Sequence, residues 1–117
     1  MEADASRFVP ALEGAVCLIG WPTLLEVHMV LAGYRRPAAI EAVRFWQSGP
    51  LVRAVAFDEA LFEAARAAFE RFGRGSGHPA KLNYGDCMAY AIAKVHDVPL
   101  LYKGDDFAHT DIRAALP

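Results

Sequence analysis

The chain has 117 residues, 55% hydrophobic and 22% charged, and its 14 acidic and 12 basic side chains leave a net charge of −2. A chain of this size forms one compact domain and buries about two-thirds of the surface its unfolded form exposes. These values exclude a disordered chain, a collagen-like repeat and a disulfide scaffold, and they give no general attraction to nucleic acid, so any RNA contact must come from a local patch. No apolar run approaches the ~20 residues of a membrane span, and no basic start followed by an apolar stretch suggests a secretory signal. Cys17 and Cys87 lack metal-ligand spacing, so a reducing cytoplasm is the expected compartment.

Taken in order, Ala5 to Leu12 read as a short amphipathic helix ending before Gly14. Ala15 to Ile19 is an apolar run stopped by Gly20 and Pro22, which suits a buried strand. A helix is predicted from Thr23 to about Ala32, ending at Gly33; the next opens at Pro37 and closes at Ser48-Gly49-Pro50. Leu51 to Phe57 is a second strand candidate. Asp58 caps a helix on which Leu61, Phe62, Ala65, Ala68, Phe69 and Phe72 recur at helical spacing and mark a core face. Gly73 to Lys81 holds three glycines and a proline and is a loop. A helix from Tyr84 to His96 turns Met88, Ile92 and Val95 inward, Pro99 to Tyr102 reads as a third strand, and Gly104-Asp105-Asp106 is its turn. Apolar strands alternating with helices predict an α/β fold with a short, mainly parallel sheet covered on both faces.

In such a sheet, ligands bind beyond the carboxyl ends of the strands. Glu26, Asp86, Asp105 and Asp106 fall near those ends. Carboxylates gathered there repel one another unless a cation neutralises them, and hard oxygen ligands select magnesium or manganese. Each acid also has a purely structural reading. Thr23-Leu24-Leu25-Glu26 fits a capping box, Asn83-Tyr84-Gly85-Asp86 is cap-like, and Asp105-Asp106 follows a glycine as turn formers do. His28, His78, His96 and His109 show no metal spacing, and Cys87 has no nucleophile–base pattern around it, which leaves it a small packed residue. Gly73, Gly75 and Gly77 lack phosphate-loop spacing, which argues against a nucleotide-binding domain. Arg71, Arg74, His78 and Lys81 make either a modest basic patch or a solvated loop.

The order of these motifs narrows the choice. Leu82 to Ala93 (LNYGDCMAYAIA), Pro99 to Phe107 (PLLYKGDDF) and Thr110-Asp111-Ile112 closely resemble the C-terminal half of VapC toxins, the PIN-domain ribonucleases of bacterial toxin–antitoxin modules. Thr23-Leu24-Leu25-Glu26 resembles the family's second acidic motif at the expected distance upstream. The resemblance implies a three-layer α/β/α PIN-like domain over residues 1–117 that cleaves RNA with Mg2+ or Mn2+. It makes Glu26, Asp86 and Asp106 the metal-binding and catalytic carboxylates and leaves Asp105 at a more variable position. Arg74, Lys81 and Lys103 are the candidates for holding the RNA backbone. A cognate VapB-type antitoxin and a homodimer are the implied partners, with no membrane; Trp21, Met29 and Trp46 are read either as core or as part of such contacts.

One departure bears on activity. The family begins with a strand bearing its first aspartate, in a hydrophobic-hydrophobic-Asp-Thr-Ser pattern, ahead of the region matched by Glu2 to Leu12. No apolar strand leads into Asp4, so that role is not carried over to it. The expectation is a domain short of one strand and one ligand, with weak metal binding and slow cleavage. The alternative is an impaired PIN-like module that keeps antitoxin or RNA binding.

Overall fold

The computed structural model describes residues 15–102 and 104–116. The predicted Ala5–Leu12 helix, Asp4 and Lys103 lie outside them. The chain divides into two compact units, Met1–Ala56 and Phe57–Pro117.

The first unit contains β1 (Cys17–Gly20), α1 (Trp21–Gly33), α2 (Pro37–Gln47) and β2 (Val52–Val55). The strands pair in parallel with Cys17 opposite Val52 and Gly20 opposite Val55, and the Cys17 N–H donates to the Leu51 carbonyl at 2.7 Å. Parallel neighbours need a long crossover, and α1 and α2 supply it, packing on each other and on β1 and β2 respectively. α1 begins two residues before the expected Thr23. Gly20 serves as its N-cap and Pro22 sits in the first turn, where a missing N–H goes unnoticed by the helix. Trp21 (52% exposed), Met29 (65%) and Trp46 (36%) are not core residues; Leu24, 3% exposed, is the buried hydrophobic of this unit among the described residues.

The second unit contains α3 (Glu59–Phe72), α4 (Tyr84–His96) and a 3-10 turn at Phe107–His109. Asp58 caps α3 as expected, its carboxylate accepting from the Leu61 N–H at 3.0 Å. The core face of α3 is narrower than its periodicity suggests. Leu61, Ala68 and Phe72 are buried, whereas Phe62 and Phe69, about 100° further round the helix, are half exposed. α4 has the predicted bounds and a wider buried face, with Cys87, Met88, Tyr90, Ala91, Ile92 and Ala93 inside; Val95 points outward at 44% exposure. The core gathers Phe72, Ala80, Leu82, Cys87, Tyr90 and Phe107, with Leu100, Tyr102 and Ile112 packed against it.

The predicted strand Pro99–Tyr102 is reduced to a single parallel bridge between Leu100 and Ala114. The Leu100 N–H donates to the Arg113 carbonyl at 2.8 Å and the Ala115 N–H to the Leu100 carbonyl at 2.9 Å, so the segment pairs with the C-terminal residues of its own unit. Pro99 has no N–H to extend that ladder.

The glycine-rich loop is closed at its neck. The Leu82 N–H donates to the Phe72 carbonyl and the Arg74 N–H to the Leu82 carbonyl, forming a Gly73–Leu82 bridge. A Cβ added at Gly73 would collide with the Phe69 carbonyl oxygen and the edge of its ring. Gly73→Ala is therefore expected to destabilise the protein by about 1–3 kcal/mol, the range for an overpacked site whose neighbour includes backbone. Chemical denaturation with an unchanged slope and an earlier midpoint checks it.

Candidate carboxylate site

Asp86 is placed by the start of α4. The Asp86 N–H donates to Asn83 Oδ1 at 2.8 Å, and the Asn83 N–H donates to Asp86 Oδ2 at 3.0 Å, a reciprocal capping box. That box leaves Asp86 Oδ1 outside it. The next residue, Cys87, is buried; burial, then the adjacent Asp86 charge, pushes its thiol pKa up, which fits a packed residue and not a nucleophile.

Asp106 stands at the head of the 3-10 turn with its side chain exposed and making no cap bond. Its neighbour Phe107 is only 7% exposed, and the Phe107 ring lies 5.3 Å from that of Tyr102, so a buried aromatic fixes the position of an exposed acid. Asp105 is exposed as well, and its carbonyl accepts from the Ala108 N–H. Glu26 lies in the second turn of α1 and is exposed. Because that helix starts at Trp21 with no side-chain cap, Thr23-Leu24-Leu25-Glu26 is not a capping box, and Glu26 has no capping duty.

Asp86 and Asp106 thus belong to one unit and Glu26 to the other. Among the described residues of either unit, no three His, Cys, Asp or Glu side chains gather closely enough to share a metal ion. The donor chemistry still suits a hard divalent cation: Glu26 and Asp106 are exposed carboxylates, and Asp86 has one oxygen outside its capping box.

Arg74 and Lys81 are exposed on the closed loop, Lys81 with a left-handed backbone (φ 50°). His78 is held inside the loop. Its ring edge packs on Phe72 at 4.9 Å between centroids, and its Nδ1 accepts from the Ala80 N–H at 3.1 Å. The loop's order comes from such internal bonds, including Ser76 Oγ donating to the Gly73 carbonyl at 2.6 Å.

A further polar group, in which the sequence reading assigns a role to Arg71 alone and only as part of a basic patch, joins α4 to the C-terminal segment. The Tyr90 hydroxyl donates to Asp111 Oδ1 and Lys94 Nζ to Asp111 Oδ2, both at 2.7 Å, and Arg71 stands 4.0 Å from Oδ2. The available signal was the i, i+4 spacing of Tyr90 and Lys94, but nothing local pairs them with a residue 17 to 21 positions away. Burial pushes the Asp111 carboxyl up, and the Lys94 and Tyr90 hydrogen bonds outweigh it, leaving its pKa below the ordinary value. Burial, then the Asp111 contact, raises the Tyr90 hydroxyl well above its usual range.

These shifts have opposite consequences for stability. Asp111's depressed pKa means its contribution is present above about pH 4 and is lost as pH falls through the folded value. Tyr90's raised pKa means its contribution is present below about pH 10 and is lost as pH rises through the folded value. Asp111→Asn should therefore flatten the loss of melting temperature below about pH 4. In a tyrosinate absorbance titration, the late-ionising hydroxyl should vanish in Tyr90→Phe.

Comparison with known proteins identifies the family. The PIN domain profile matches residues 1–113. Ribonuclease VapC30 of Mycobacterium tuberculosis (strain ATCC 25618 / H37Rv) is 42% identical over 119 residues, covering 99% of this chain and 89% of that protein. Ribonuclease VapC28 of the same strain is 40% identical over 121 residues, covering 98% of this chain and 87% of its own length. Ribonuclease VapC42 reaches 55% identity, but over 67 residues, which are 57% of this chain and 50% of that protein. With a profile match across most of its length and relatives at this level over nearly all of it, the chain belongs to the PIN-domain family, among the VapC ribonucleases.

Proposed function

We propose that this chain is a metal-dependent endoribonuclease of a toxin–antitoxin module, with Glu26, Asp86 and Asp106 holding one or two Mg2+ or Mn2+ ions. The observation that carries the reading is that Asp86 Oδ1 lies outside the capping box and the Asp106 side chain outside any cap, in the same unit of a VapC-like chain. Glu26, freed from a capping role, is the third donor. When bound, the metal polarises the scissile phosphate and lowers the pKa of the attacking water. The chain's own contribution is placement: the capping box orients the Asp86 carboxylate, and Glu26 and Asp106 present theirs on the surface.

Arg74, Lys81 and Lys103 would contact the RNA backbone, which positions a strand without reading its sequence. A VapB-type antitoxin and a second copy of the chain are the proposed protein partners, and the exposed Trp21 and Met29 offer apolar area for one of them. A non-catalytic binding module that keeps antitoxin or RNA binding is the second reading.

Cleavage of RNA with Mg2+ or Mn2+ separates the two. Asp86→Asn keeps an oxygen for the Asn83 N–H, so its melting temperature should stay close to the parent's while cleavage falls by at least about 100-fold, a barrier increase of about 2.7 kcal/mol. RNA or antitoxin binding without cleavage at any metal concentration would establish the binding module instead. Arg74→Ala with Lys81→Ala should reduce the slope of log affinity against log salt by about 1.4, from about 0.7 per phosphate contact on a single strand. Identical slopes would show that the loop is only solvated.

A further inference from the structure

We infer that Asp111 is a positioning residue for the carboxylate site: it locks the segment that carries Asp106 onto the face of α4 that carries Asp86. The inference rests on the metal-site reading above and extends it to a residue that would touch neither metal nor RNA. Asp86, Tyr90 and Lys94 recur every four residues, so they form one stripe along α4. Asp111 is bound to two members of that stripe, Tyr90 through Oδ1 and Lys94 through Oδ2. With one oxygen taken by a hydroxyl and the other by a cation, it is poorly suited to bind a divalent ion itself.

The segment between Asp106 and Asp111 is internally braced. Phe107 is buried, Thr110 Oγ1 donates to the Phe107 carbonyl at 2.7 Å, and the Ile112 N–H donates to Thr110 Oγ1 at 3.3 Å. Phe107 anchors the start of this segment, and the pairing of Leu100 with Arg113 and Ala115 holds the chain beyond it, but neither ties the stretch between them to α4. Asp111 adds that tie, through Tyr90, one helical turn along from Asp86. Of its two partners, Tyr90 carries more of the effect. Tyr90 is 5% exposed and its bond to a carboxylate is charge-assisted, whereas the Lys94 side chain is 53% exposed and its ion pair is screened by water.

The test measures Mn2+ binding, by the electron paramagnetic resonance signal of free Mn2+, together with thermal unfolding. The proteins compared are the parent chain, Asp111→Ala, Asp111→Asn, Tyr90→Phe, Lys94→Met and Asp86→Asn. Outer partners of metal ligands typically change affinity by about tenfold or more, so Asp111→Ala and Tyr90→Phe should weaken Mn2+ binding about tenfold. Asp111→Asn, which can still accept from Tyr90, and Lys94→Met should stay nearer the parent. If Asp111→Ala does not fold, Tyr90→Phe, which deletes a single hydroxyl, decides the matter. Lowered melting temperatures with parental Mn2+ affinity in Asp111→Ala and Tyr90→Phe would overturn the positioning role alone. No Mn2+ binding by the parent, or binding that persists in Asp86→Asn, would overturn the carboxylate site and this role with it.

Discussion

A tyrosine hydroxyl buried in an apolar core must find a hydrogen-bond partner, and much of the second unit follows from how Tyr90 finds one. α4 is buried around most of its middle, and small residues at Ala91 and Ala93 let it pack closely. Tyr90 contributes its ring to the same core, tilted against Phe72 at 5.9 Å. Its hydroxyl therefore has to reach outward past the core edge, and the acceptor it meets is Asp111. That single requirement draws the C-terminal segment onto the helix. The Leu100–Ala114 bridge and the buried Phe107 then hold the rest of the segment in place.

Capping and metal binding are usually weighed as rival explanations for an acid at a helix start. At Asp86 the cap takes one oxygen of the carboxylate and leaves the other for the metal binding proposed above. Oδ2 accepts from Asn83 and fixes the side-chain rotamer, and Oδ1 lies outside the box. The capping box thus orients a donor as well as ending a helix, which narrows the rotamers the carboxylate must give up on binding a cation. The same logic fails at Glu26, where the helix begins too early for a box to form.

Much of this was legible in local sequence. The bounds of α4, Pro37 at the start of α2, the Asp58 cap and the parallel α/β pattern all depend on neighbours within a few residues, where propensity and capping act. What could not be read depends on distant partners. Periodicity marks a face of α3 but not how far α4 covers it, so Phe62 and Phe69 were expected inside and lie half exposed. Pro99 to Tyr102 has the composition of a strand, yet its partner residues near Ala114 carry no strand signal, and the ladder stops at one bridge. The tie between Tyr90 and Asp111 is likewise invisible to any short window. At the candidate site, the sequence could nominate Glu26, Asp86 and Asp106 through their resemblance to a family motif, while the separate use of the two Asp86 oxygens needed atomic positions.

The three candidate acids share one structural device. Each lies within two residues of an almost fully buried apolar residue: Leu24 before Glu26, Cys87 after Asp86 and Phe107 after Asp106. A carboxylate placed inside the core would lose its charge or destabilise the fold, and one on an unsupported loop would have no fixed position. Anchoring the backbone through the neighbour separates these demands. The buried residue supplies the placement, worth roughly 1.5–3 kcal/mol for a fully buried large apolar side chain, and the acid itself stays outside the core. Deprotonated oxygens held by buried neighbours are what a hard divalent cation requires, since its ligands must bind without first giving up protons.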